Sequence, residues 1–88
     1  MISEKITIQN EVGLHARPAA VFVKTADRFK SKVFLEKDEI KVNGRSILSI
    51  LTLAAEKVSE VILTVDGADE QAAFEALKAI LAGVEDEA

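Results

Sequence analysis

The sequence predicts an α+β fold, an open-faced β-sandwich in the order β-α-β-β-α-β-α, with four antiparallel strands and three helices on one sheet face. Three observations carry this prediction. Period-two alternation marks the strand segments, helical spacing marks the others, and Gly-, Asn- or Asp-bearing turns separate them. With so few strands, an antiparallel sheet covered on one side is the natural packing. Eighty-eight residues, 49% of them apolar, suit a single packed domain over residues 1–88 rather than a disordered chain.

Each element has its own justification. From residue 2 to 9, Ile6 and Ile8 alternate with Lys5 and Thr7, as in a half-buried strand. Residues 10–14, with Gly13, read as a turn. Residues 16–28 have helical spacing: Ala16, Ala19, Ala20, Val23 and Ala26 form a stripe that Phe22 and Phe29 widen. Pro18 falls in the first turn, where its missing N–H is no loss. Residues 32–36 and 39–42 read as a hairpin around Lys37-Asp38, and Asn43-Gly44 as a second turn. Ser46 is a good N-cap for a short helix from Ile47 to about Ala54. Residues 60–65 form a strand with Val61, Leu63 and Val65 on one face and Ile62 on the other, closed by Asp66-Gly67. Asp69 is placed to cap a last helix that turns Ala72, Ala73, Leu77, Ile80 and Leu81 inward and Glu70, Glu75 and Lys78 outward. The acidic stretch Glu85-Asp86-Glu87 is expected to be solvated.

Composition then removes whole classes of function. No cysteine means no disulfide framework, no thiolate nucleophile and no cysteine-based metal site. One histidine cannot build a poly-histidine cage, so any imidazole chemistry passes through His15, and neither a metal nor another cofactor is expected. A formal charge of −4 argues against a nucleic-acid partner. The apolar runs are short and interrupted by charge, so no membrane insertion is expected, and no signal-peptide stretch stands at the start. A cytoplasmic setting is the default expectation.

The informative stretch is Gly13-Leu14-His15-Ala16-Arg17-Pro18-Ala19-Ala20. A histidine at a helix N-terminus meets backbone N–H groups without intrahelical partners and the positive end of the macrodipole. That field favours the neutral, nucleophilic ring and welcomes an anion. Arg17 adds a planar guanidinium suited to bidentate phosphate contact, and the Ala16 segment supplies amides. Together these describe a place for a phosphoryl group on a ring nitrogen. Taken alone, a histidine before a helix is more often a surface cap, and the residue pattern by itself leaves both readings open.

This segment resembles the active-centre motif of HPr, the histidine phosphocarrier family of the bacterial phosphoenolpyruvate-dependent sugar phosphotransferase system. The likeness extends to Lys24, Phe29, Val42-Asn43-Gly44-Arg45-Ser46-Ile47 and Asp66-Gly67-Ala68-Asp69-Glu70. It implies that His15 accepts a phosphoryl group on Nδ1 from enzyme I and donates it to an enzyme IIA. It also implies that Arg17 neutralises the phosphate during transfer. Such a protein is a carrier with a transient phosphohistidine, not an enzyme in the strict sense.

Ser46 has an ordinary role as an N-cap. The resemblance adds regulatory phosphorylation of Ser46 by an HPr kinase/phosphorylase, which would place negative charge at a helix N-terminus. The helix after it is apolar on many sides: Ile50 and Leu53 suffice for the core, with Ile47 at the edge, so Leu48 and Leu51 are expected to project outward as a docking patch. The resemblance joins this patch to Ala20 for docking, and Lys24, Arg28 and Arg45 are the basic residues available to ring the site. A monomer is the simplest expectation for a carrier that presents one face to successive partners. Some features depart from the commoner HPr pattern: Ala54-Ala55-Glu56-Lys57 lacks the usual glycines, and Ser49, Leu48 and Leu51 replace a glycine and methionines. The Ile/Leu-rich helix is also similar to the nitrogen-related HPr paralogue. A regulatory interaction module acting through Ser46 is a further alternative, although family members of that sort lack the active-centre histidine.

Overall fold

The sheet is built where alternation is strictest. In a computed structural model, which describes residues 1–9, 16–53 and 58–82, the elements are β1 (Ile2–Gln9), α1 (Ala16–Ala26), β2 (Lys32–Lys37), β3 (Ile40–Asn43), α2 (Ile47–Leu53), β4 (Val58–Asp66) and α3 (Glu70–Leu81). The strand order is β1-β4-β2-β3, every pair antiparallel. Ile6 lies opposite Val61, Leu63 opposite Leu35, and Val65 opposite Val33, so the centre of one face is apolar. All of these are buried. The three helices cover that face with Phe22, Ile50, Phe74, Leu77 and Leu81 among others. The opposite face carries Ser3, Lys5 and Thr7 exposed, with Phe34, Ile62 and Thr64 half-buried. The predicted order and the open-faced architecture hold. The turn of residues 10–14, the stretch 54–57 and the acidic residues 85–87 lie outside the described residues.

Several details differ from the sequence reading. α1 ends at Ala26, not Arg28: the Arg28 N–H reaches Thr25 O (3.1 Å) and the Phe29 N–H reaches Ala26 O (3.1 Å), the tighter i→i−3 pattern of a closing turn. Its buried stripe is Ala19, Phe22 and Ala26, while Ala20, Val23 and Phe29 are only half-buried. The bulky ring at position 22 takes the centre because it fills the space over the sheet. In α3 the buried set is Ala73, Phe74, Leu77, Ile80 and Leu81, and Ala72 is exposed.

The hairpin turn lies one residue later than expected. Lys37 pairs with Ile40, leaving Asp38-Glu39 as the loop, both with positive φ (52° and 69°). Two successive left-handed residues are what a two-residue hairpin needs to match the twist of its strands.

The start of α3 also differs. Asp69 makes no side-chain cap hydrogen bond. Its carboxylate accepts the Lys30 N–H (2.8 Å), the Ser31 N–H (3.0 Å) and the Ser31 hydroxyl. Glu70 instead serves the local backbone, taking the Gly67 N–H at 3.2 Å. Ser31 is fully buried, and Gly67 packs so tightly on it that an added Cβ would lie 2.6 Å from Ser31 Cα. Gly44 is similarly confined against Val33, with its N–H on Val33 O at 2.8 Å.

Candidate phosphoryl-transfer site

α1 begins with Ala16 and Arg17, and no acidic residue stands in its first turn. Pro18 has no N–H, so the helical residues of this turn whose amides lack an intrahelical partner are Ala16 and Arg17. Amides without intrahelical partners and a positive dipole end, with no carboxylate in the first turn of α1 itself, make a helix start of this kind receptive to an anion. His15, the residue before Ala16 in sequence, lies outside the described residues together with Gly13 and Leu14.

Ser46 caps α2 as the sequence suggests. Its Oγ accepts the Ser49 N–H at 3.3 Å and donates to Ser49 Oγ at 3.0 Å. Its carbonyl takes the Ile50 N–H at 3.0 Å, the first intrahelical bond. Ser49 therefore occupies the third helical position, where a capping box would carry an acid. Ser46 is half-buried and α2 has no acidic residue in its first turn.

The proposed docking residues divide. Leu48 is 76% exposed and Ile47 41% exposed, whereas Leu51 does not project outward: it is half-buried and packs against the core. Ile50 and Leu53 take the core-facing positions. Leu48 also rims an apolar groove of about 300 Å³ shared with Ile40, Val42, Thr52 and Leu53. Ala20 is half-buried on α1, which packs against α2.

The basic residues do not ring the start of α1. Lys24 lies in its last turn and Arg28 just beyond it, both exposed. Arg45 is drawn further along: its Nη2 donates to Phe29 O (2.9 Å) and Ser31 O (2.8 Å), and its Nη1 lies 3.7 Å from Asp27 Oδ1. All three gather at the C-terminal half of α1, where cations meet the negative end of its dipole.

Sequence reasoning missed the junction this creates. Arg45 holds the carbonyls of the turn between α1 and β2, and Asp69 holds its amides, so the starts of α2 and α3 are tied to one turn. The Ser31 hydroxyl, followed by the Lys30 and Ser31 amides, keeps the Asp69 carboxyl below its ordinary pKa. Partners 14 and 38 residues away leave no local signal at either position.

Comparison with known proteins places this geometry. A family model described as the PTS HPr component phosphorylation site matches residues 2–83. The chain is 49% identical over 79 residues to the HPr-like protein Crh of Bacillus subtilis, covering 90% of this chain and 93% of that one. It is 44% identical over 78 residues to the phosphocarrier protein HPr of Treponema pallidum, covering 89% of each. Among solved structures, an HPr from Thermoanaerobacter tengcongensis superposes with a TM-score of 0.84 at 43% identity, covering 94% of this chain and 97% of that one. A Bacillus subtilis Crh crystal structure, described as a dimer with a swapping domain, superposes with a TM-score of 0.76 at 46% identity, over 96% of this chain and 97% of that one.

Proposed function

The chain belongs to the HPr family of phosphocarriers, and from that premise we propose that His15 is its phosphoryl acceptor. The group arrives from phosphorylated enzyme I and leaves to an enzyme IIA. The observation that carries this reading is the join of the family match to the acid-free helix start beginning at Ala16-Arg17, immediately after the chain's single histidine. A neutral imidazole nitrogen attacks phosphorus, a P–N bond forms, and the donor's bond to the same phosphorus breaks. The amides at the start of α1 and the Arg17 guanidinium supply countercharge to the phosphoryl oxygens. No oxidant or further reactant is needed for the exchange. Enzyme I, phosphoenolpyruvate and an enzyme IIA form the test: phosphate reaches the enzyme IIA only when this protein is present, and His15→Ala stops it. Transfer that proceeds without the protein, or with the variant, defeats the proposal.

A second reading has its own support in the similarity to Crh, a protein connected in its structural description with catabolite repression. Under it, an HPr kinase/phosphorylase modifies Ser46 and the docking of partners weakens. The cap geometry accommodates this, because a phosphate on Ser46 Oγ carries acceptors for the same Ser49 N–H. Leu48 and Ile47 form the exposed docking patch. We propose a monomer as the working state, and light scattering on the purified protein separates it from a swapped dimer of the Crh kind.

A further inference from the structure

A groove of about 400 Å³ opens where β2 begins and β3 ends. Lys30, Lys32 and Arg45 line it with Asn43 and the half-buried ring of Phe34, and no carboxylate is among its lining side chains. The chain as a whole carries 15 acids against 11 lysines and arginines. Two other grooves on the described surface follow that balance, one with Glu4 and Glu75, the other with Glu36, Glu39 and Glu60.

The free polar groups of this groove are donors. Among the described residues, neither Lys30 nor Lys32 has an ion pair at its ammonium. Asp66, the cross-strand neighbour of Lys32, lies 3.9 Å from the Met1 ammonium instead. Asn43 spends its acceptor on the Arg45 N–H (2.8 Å), leaving its NH₂ as the uncommitted end. The Ser31 hydroxyl is committed to Asp69. Arg45 is held in place by two backbone carbonyls through Nη2, while its Nη1 lies 3.7 Å from the exposed Asp27 Oδ1 outside the groove lining. Lys41 stands nearby, its ammonium 4.8 Å above the Phe34 ring centre.

Two free ammoniums, a preorganised guanidinium and an amide donor describe a receptor for multiply charged anions. The volume falls in the range of small-ligand sites, about 300–1,000 Å³. It is too confined to serve alone as a protein interface, which takes about 800 Å² from each partner. We infer that this groove binds a small, free phosphate-bearing molecule, a phosphomonoester or a diphosphate. The site is separate from the start of α1: it adjoins the turn after that helix, and eleven residues place about 16 Å between the two ends.

The test is an amide NMR titration of the full chain with inorganic pyrophosphate, at ionic strength matched with chloride. Binding at this groove shifts the amides of residues 30–34 and 43–45 along one saturable curve. Lys30→Gln/Lys32→Gln weakens that curve about tenfold without altering the melting temperature or the labelling of His15. Shifts that rise without saturation, are reproduced by chloride, stay confined to residues 16–20, or keep their midpoint in the double variant overturn the assignment. A saturable response to an acidic peptide with none to pyrophosphate also overturns it, in favour of a protein-docking surface.

Discussion

Replacing Gly67 with alanine places a Cβ 2.5 Å from Ser31 Oγ, 2.6 Å from Ser31 Cα and 2.9 Å from Ser31 Cβ. The clash with the Ser31 backbone is the decisive one, because no side-chain rotation relieves it. Nor can the backbone at Ser31 step back freely. Its N–H is bound to Asp69 at 3.0 Å, its carbonyl to Arg45 at 2.8 Å, and its side chain is fully buried. Relief therefore means displacing the turn between α1 and β2 and loosening the ties from α2 and α3. Overpacking of this kind costs about 1–3 kcal/mol, and a backbone clash within a fixed turn belongs near the upper end. At about 4–8 °C per kcal/mol for a domain of this size, a loss of about 2–3 kcal/mol lowers Tm by roughly 8–24 °C. Thermal and urea denaturation followed by circular dichroism measure it, with Ser31→Ala/Gly67→Ala as the control. That double variant removes Oγ but keeps the new methyl pressed against the backbone of residue 31, so it does not restore stability. A Gly67→Ala protein within about 0.5 kcal/mol of the parent, or full rescue by Ser31→Ala, would refute the packing argument.

Other consequences follow from the same geometry. Glu39→Gly relieves a left-handed residue in the hairpin and stabilises by about 1 kcal/mol; a lower urea midpoint would contradict the assigned turn. Ser46→Ala loses the cap of α2 and about 1 kcal/mol, while phosphoenolpyruvate-dependent labelling at His15 persists; loss of that labelling in a folded variant would tie the cap to phosphoryl transfer and contradict their separation. Asp69 has a folded-state pKa below its unfolded value. Its contribution is therefore present above about pH 3.9 and is lost as pH falls through the lower folded value. Wild-type stability should then fall more steeply over that acid range than that of Asp69→Asn, and parallel curves would remove the linkage.

The legibility of the chain depended on how local each signal was. Alternation along Ile2–Gln9 and through Val61, Leu63 and Val65 identified strands because side-chain period and sheet face are the same fact. Ser46 was legible as a cap because its partner, Ser49, is three residues away. The hairpin turn lies one residue beyond its sequence position because positive φ at Asp38 and Glu39 is a backbone property, and a glutamate gives no hint of it. A small apolar side chain suggests an inward Ala72, but the stripe through Ala73, Leu77 and Ile80 turns Phe74 into the core instead. Asp69 and Arg45 carried reasonable local expectations, a cap and a member of a basic ring. Both spend their side chains on the turn at residues 29–31, brought near only by the folded sheet. In the candidate site, the helix start at Ala16 is legible from one short motif, and the roles of His15 and Arg17 belong to the proposal above. The crowding of Lys24, Arg28 and Arg45 toward the other end of α1 is not legible from it.

The most direct test is the mass of the protein after incubation with enzyme I and phosphoenolpyruvate, before and after brief acid treatment. Phosphoryl transfer through His15 predicts a single added phosphoryl group that acid removes and that His15→Ala, still folded, never acquires. An acid-stable adduct, no adduct at all, or an acid-labile one persisting in His15→Ala would contradict the assignment.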